Sequence, residues 1–472
     1  MTTASAKRTR DRVTVRFDGP ATGRGPATWG QTAIRRALGR LEPDDHQFNI
    51  DWGGPVEPGL PVETACEVLR GLLYVHDSLR TLLHEDGDGR YVQELHATGE
   101  LDVRVADAET DDVESVAAEL RHRLGGLRFD YAREWPLRVA LVTRGGLVRH
   151  VVVVLSHTAV DGWGLPRLVE DITALVAGAD PATLRAGRRL NGPMEEAAQQ
   201  RTPSALRREA SARDFVLRNL AAAPARMYRA PGGGGYRRAV LRCPGLAEAA
   251  EACAARLRAA PATVLLAAAC AAVAASARRS DCVLQVMVNN RFVPGLADLV
   301  APVALEGVLY VPDCREPFDD LVRSVWKASV NTYRFAYYDK DRLTEQSATV
   351  PAADTTCWYN DRRGVVAATA ADTPDTPDTP DGAAPPGGTA RDGLTWSAQE
   401  GEQGGITFAL HVLDAPGALD LSLTADTAAM PPPVMERLLR QMAALVREHG
   451  AGAFPDRPTP ARAGRGASGG SP

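Results

Sequence analysis

Residues 151–155 read Val-Val-Val-Val-Leu, with no polar position on either side of an extended chain. Side chains on a strand point alternately to opposite faces, so such a run is expected of a strand buried on both. It needs other elements packed above and below it, which points to a layered α/β fold. The surrounding sequence supplies them. Leu137–Val142 and Val148–Leu155 read as a strand pair joined through Gly145 and Gly146, and Val13–Phe17 alternates as a strand does. Helical spacing marks Thr28–Leu41, Val62–Leu83 (Cys66, Leu69, Leu72, Leu73, Leu79), Val113–Leu124 and Pro166–Val176.

The second half repeats this grammar. Strands are expected at Tyr236–Leu241, Cys282–Val288, Gly307–Val311, Thr356–Asn360, Leu394–Ser397, Ile406–Leu413 and Leu419–Ala425. Helices are expected at Leu246–Leu257, Ala262–Ala277, Phe318–Tyr333 and Pro431–Glu448. The Ala262–Ala277 run is Ala-rich and apolar all round, as in a helix buried in a large core. Asp180–Arg229 is rich in Ala, Arg and Glu and reads as a helical connector ended by Gly232–Gly235. Ala367–Asp392, with its TPDTPDTPD repeat, and Gly450–Pro472 have little apolar area to bury and are expected to be a floppy insert and tail. The expected domains are a first lobe at 1–180, a connector at 181–235, and a second lobe at 236–449.

Composition narrows the function classes. The chain has 472 residues, 44% hydrophobic and 24% charged, within the globular range. Its net charge of −5 gives no electrostatic footprint for nucleic acid or an anionic membrane. The cysteines, 7 in number, are loosely spaced with no C-x-x-C, which argues for a reducing cytoplasm and against a disulfide scaffold or a zinc site. Met1–Arg12 is polar and basic, unlike a signal peptide, and the apolar run at 262–277 is shorter than the roughly 18 residues that span a bilayer.

The segment with most chemistry follows the apolar strand directly: Ser156-His157-Thr158-Ala159-Val160-Asp161-Gly162-Trp163. A histidine and an aspartate at the end of a buried strand, beside a glycine, place two ionisable groups at a cavity edge. A histidine near a core is more often a satisfied structural residue, and the HxxxDG spacing is what weighs against that here. A Ser-His-Asp triad is excluded, because adjacent Ser156 and His157 point to opposite faces and no G-x-S-x-G elbow occurs. No metal is expected: there is no H-E-x-x-H, and His150 and His157 lie an odd number of residues apart.

Ser156–Gly162 resembles the HHxxxDG motif of the condensation domains of nonribosomal peptide synthetases, which share their fold with chloramphenicol acetyltransferase. Further segments are similar in order: Trp29-Gly30-Gln31 with Phe48-Asn49-Ile50, then Val75–Thr81 against an RHExLRT motif. Val288–Arg291 with Val300–Val311, Trp358-Tyr359-Asn360, and Asp420–Ala425 with Pro433–Leu445 follow, so that the resemblance covers about residues 28–449. It implies two acetyltransferase-like lobes in a V around a central tunnel, with His157 midway. A phosphopantetheine arm enters as part of the substrate, with no bound cofactor, and an acyl or peptidyl carrier protein acts in trans. Ser156, Trp163, Trp358 and Asn360 are placed along the substrate path.

The chemistry of the residues fits that expectation. A neutral imidazole, with an ordinary pKa near 6.5, is suited to accept or steer the proton of an attacking amine or alcohol. His157, Asp161 and Gly162 form the expected catalytic group, with backbone N–H groups near Gly162 facing the oxyanion. A buried carboxylate needs a partner; Arg80 is the first choice for Asp161 and Arg291 the second. Three positions depart from the family pattern: Ser156 for its first His, Val75 for its first Arg, and Glu306-Gly307 where it often has Asn. The expected function is therefore a condensation-type acyltransferase of natural-product biosynthesis. The alternative is a catalytically silent module that recruits a carrier or partner enzyme.

Overall fold

The computed structural model describes residues 12–109, 111–229, 234–347, 353–364, 392–399 and 405–451. In chain order the first part comprises β1 (Arg12–Asp18), β2 (Gly23–Pro26), α1 (Trp29–Gly39), β3 (Ile50–Pro61), α2 (Val62–Val75), β4 (Thr81–Glu85), β5 (Tyr91–Leu95), β6 (Thr98–Asp107), α3 (Val113–Gly125), β7 (Leu137–Arg144), β8 (Leu147–Leu155) and α4 (Leu165–Val176). These build a five-stranded sheet, β1-β6-β7-β8-β3, beside a small β2-β5-β4 sheet.

β8 lies between β7 and β3, antiparallel to both. Val153 and Leu155 face a core shared with α2 and α4, while Val152 and Val154 face the core under α3. The uninterrupted apolar run is therefore covered on both sides, each buried side chain contributing roughly 1.5–3 kcal/mol. The β7–β8 hairpin turns on Gly145 and Gly146, at φ 61° and 77°, a left-handed pair that suits a tight two-residue turn.

α5 (Pro181–Ala186), α6 (Pro193–Gln200) and α7 (Pro203–Ala222) follow. α7 lays Ala212, Val216 and Leu220 into the core of the second sheet. That part contains β9 (Tyr236–Pro244), α8 (Leu246–Leu257), α9 (Pro261–Ser276), β10 (Cys282–Val288), β11 (Leu305–Val311), α10 (Phe318–Arg334), α11 (Lys340–Ser347), β12 (Cys357–Asp361), β13 (Gly393–Gln399), β14 (Phe408–Ala415), β15 (Ala418–Asp426) and α12 (Pro432–Ala451). Its seven strands run β11-β10-β12-β14-β15-β9-β13, parallel where β12 meets β10 and β14. The all-apolar α9 is sunk in this core with α8 and α12 against it. No single helix among the described residues is long and apolar enough to cross a membrane.

The structure corrects the sequence reading at several places. The helix expected over Val62–Leu83 ends at Val75. His76 is extended, Asp77–Arg80 is a 3-10 turn, and Leu83 lies on β4. The break follows from buried charge. His76 pairs with Asp171 and Asp77 with Arg185, partners held on distant elements, while Asp77 and Arg80 pair within the 3-10 turn itself. β2 and β3 are rich in Gly and Pro and β4 and β5 are five residues each, which hides them from periodicity; β6, where Leu101, Val103 and Val105 alternate with polar residues, carried the signal and was missed. The expected tail starts too early: α12 runs to Ala451, and Gly450 packs on Ala249. The insert expected at 367–392, apart from Asp392, and the tail beyond Ala451 lie outside the described residues.

Candidate active site

β8 delivers the chain into a turn that faces inward almost throughout. Ser156 N–H donates to the Pro136 carbonyl (2.9 Å), and Ala159 N–H closes back on the Ser156 carbonyl (3.0 Å). The Ser156 and Thr158 hydroxyls bond each other at 2.8 Å, while Ala159 and Val160 enter the first core. From Ser156 to Asp161, His157 alone is not fully buried. The fold thus turns one imidazole outward from an otherwise closed loop.

Burial lowers the His157 pKa below 6.5, with the charge of Arg362 acting in the same direction. The nearby backbone carbonyls of His157 and Val160 and the Asp161 charge oppose this. The ring is therefore neutral near pH 7. Its Nδ1 is sealed from solvent and has no hydrogen-bond partner among the described residues. The Phe48 ring lies 6.2 Å from the imidazole, tilted by 42°.

Asp161 anchors the loop. Arg291 grips its carboxylate with both terminal nitrogens, at 2.8 and 3.2 Å. The N–H groups of Val303 and Ala304 donate at 2.9 Å each, and Gly164 N–H donates at 2.8 Å. Arg291 itself follows Asn290, held in a left-handed turn at φ 55°. The His157 loop of the first sheet is thereby bound to the 289–304 segment of the second. Close packing reinforces the junction: a Cβ on Gly30 would fall 1.5 Å from the Pro302 carbonyl oxygen, so only glycine fits there.

Three expectations change. Arg80, the first choice for Asp161, is fully buried elsewhere: it donates to Asp77 and to the carbonyls of Leu73, Ala21 and His96. It sits in the 3-10 turn after α2, and Arg291 from the second sheet occupies the Asp161 carboxylate instead. Asp161, grouped with the catalytic residues, is 1% exposed and its oxygens face only protein donors, so it is a positioning residue. Ser156, expected along the substrate path, is likewise 1% exposed and bonded to Thr158.

Gly162 and Trp163 are half-buried where the loop resurfaces, and the Gly162 N–H has no acceptor among the described residues. Trp358 and Asn360 share one face of β12, opposite the buried Cys357 and Tyr359. Trp358 Nε1 and Asn360 Oδ1 are both sealed from solvent without a hydrogen-bond partner. Arg362, two residues past Asn360, acts on the histidine through its charge. Sequence reasoning missed Arg362 and Phe48 as neighbours of His157; an arginine pair after a strand and an aromatic before Asn49 look like ordinary loop residues until the sheets are assembled.

The fold and the site define a two-part mixed α/β protein with a histidine loop fastened at the junction. Residues 28–189 match the family model described as Condensation domain. Cyclosporin synthetase simA of Tolypocladium inflatum is 31% identical over 120 residues, 25% of this chain and 1% of that protein. Among solved structures, the condensation domain that mediates chain release from the enacyloxin polyketide synthase superposes with a TM-score of 0.70. It is 18% identical and the match covers 94% of this chain and 85% of that one. The X-domain seen in complex with OxyB from teicoplanin biosynthesis superposes with a TM-score of 0.64 at 16% identity, over 92% and 95% of the two chains. The chain has the fold of those domains, and its residues 28–189 are similar to them in sequence. Its matched stretches span only 1–4% of the length of the curated relatives.

Proposed function

We propose that the protein is a condensation-type acyltransferase of natural-product biosynthesis. It joins an acyl or aminoacyl thioester, held on the phosphopantetheine arm of a carrier protein acting in trans, to an amine or alcohol. The observation that carries this reading is His157, a neutral imidazole with its Nδ1 sealed from solvent, on a loop fixed by five hydrogen bonds to Asp161. His157 Nε2 takes or steers the proton as the nucleophile attacks the thioester carbonyl. The oxyanion of the tetrahedral intermediate points toward the Gly162 N–H. Collapse breaks the C–S bond, and the proton passes from the imidazolium to the leaving thiolate. In this reading Trp163, Trp358 and Asn360 line a substrate tunnel between the lobes, no cofactor is resident, and the protein works in the cytoplasm. The test is intact-mass analysis of acyl-phosphopantetheinyl carriers incubated with the protein and amine or alcohol acceptors: loss of the acyl mass with gain of the condensed product supports it.

A second reading is a silent module that recruits a carrier or enzyme. It is favoured by Ser156, which stands at the motif's first position and is closed off by Thr158, and by the similarity to an X-domain bound to OxyB. A carrier that binds without losing its acyl group, whichever acceptor is offered, would support this reading instead.

A further inference from the structure

We propose that a cleft of about 520 Å³ in the first lobe binds a flat organic oxyanion, a carboxylate or phosphate monoester, with its head on Arg35. The cleft lies between α1, β4, β5 and the 128–132 segment, and Leu83, Tyr91, Phe129 and Tyr131 give it apolar walls. The inference does not rest on the proposed acyl transfer.

Arg35 is largely buried, its side chain 13% exposed. Its guanidinium lies 4.0 Å from the centroid of the Tyr131 ring and 5.4 Å from that of Tyr91. Stacking on an aromatic face satisfies the flat side of a guanidinium and leaves its N–H edge for an acceptor in the plane. No such acceptor is supplied. Among the described residues no hydrogen bond reaches Arg35; its Nη1 is sealed from solvent, so Nε and Nη2 are the donors left to a ligand. The nearest carboxylate, Glu42, stands 4.0 Å from Nη2, too far for a hydrogen bond.

Asp45, bonded behind the Tyr131 wall, is already engaged. It accepts from Arg128 Nε at 2.5 Å and from the Tyr131 hydroxyl at 2.7 Å, which fixes the far wall. Glu85 and Asp130 also line the cleft but are exposed, so their charges stay in water at the rim. A ligand is therefore favoured with one anionic end, directed to Arg35, and an uncharged flat body along the tyrosines. The turn that supplies Asp45 also carries Phe48 to His157, and none of the residues lining the cleft belongs to the His157 loop.

Fluorescence titration of the full chain with 2-naphthoate, 2-naphthyl phosphate and neutral 2-naphthol tests this. The two anions separate carboxylate from phosphate as the preferred head, and both are expected to bind more tightly than naphthol. Arg35→Met is expected to weaken the preferred anion by roughly 10- to 100-fold, the loss typical of a charge-assisted hydrogen bond, and naphthol by less than about 2-fold. Ala132→Phe, which fills the cleft and leaves Arg35 in place, is expected to weaken all three and gives a second reading if Arg35→Met folds poorly. Naphthol binding as tightly as the anions, or anion binding that neither variant alters, would overturn the proposal.

Discussion

His157 owes its chemistry to the side chains around it that turn inward. Because burial disfavours the imidazolium, its pKa lies below 6.5 and the neutral, proton-accepting form persists to lower pH than for a free imidazole. The acid limb of a kcat/KM profile is accordingly expected below pH 6.5, activity falling as the ring protonates; a limb at or above 6.5 would show that the ring is not held as described. Glu196 illustrates the opposite shift. Burial raises its pKa to about 8, and it accepts from the Tyr337 hydroxyl at 2.6 Å and Gln200 Nε2 at 3.1 Å while Oε2 has no partner. The folded protein holds a proton there that the unfolded chain releases near 4.5, so this group's contribution to stability is complete below about pH 4.5 and is lost as pH rises toward 8. Glu196→Gln keeps the acceptor and removes the titration. Urea unfolding is expected to find it more stable than wild type at pH 8.5, on the order of a few kcal/mol, with the difference shrinking toward pH 5. An unchanged difference across that range would mean Glu196 is already ionised in the fold.

Among elements, the loop after β8 and the 289–304 segment act as one piece through Asp161 and Arg291. Removing one member of a buried pair strands the other, at about 3–5 kcal/mol. Asp161→Ala and Arg291→Ala should each lower the melting temperature. Their double variant should lose much less than the sum, because the second removal relieves the stranded charge. Additive losses in that cycle would mean the two residues stabilise the fold independently. The elements themselves were unequally legible. β8, its hairpin and α9 could be read from sequence because apolar runs and paired glycines act locally. The stop of α2 at Val75 could not, because it depends on Asp171 and Arg185, residues roughly a hundred positions away that meet His76 and Asp77 only in the folded chain. The choice of Arg80 over Arg291 failed for the same reason. Both are arginines near a motif, and only the meeting of the two sheets decides which one reaches Asp161.

At the scale of the whole molecule, the two sheets with their helices are joined where Asp161 accepts from Val303 and Ala304 and where Gly30 admits the Pro302 carbonyl. The order of strand and helix segments, together with the motifs along the chain, was enough to read the mixed α/β fold. The neighbours of His157 were not legible, since Phe48 and Arg362 come from opposite halves of the sequence. That convergence on one imidazole is what makes His157 the centre of the proposed reaction. The decisive measurement compares wild type with His157→Ala in transfer from acyl-phosphopantetheinyl carriers to an amine or alcohol, followed by intact mass, with melting temperature confirming that the variant is folded. Product formation is expected to fall by roughly 10²–10⁴-fold in the variant, the usual loss of a general base. Transfer at the wild-type rate by a folded His157→Ala protein would contradict the account.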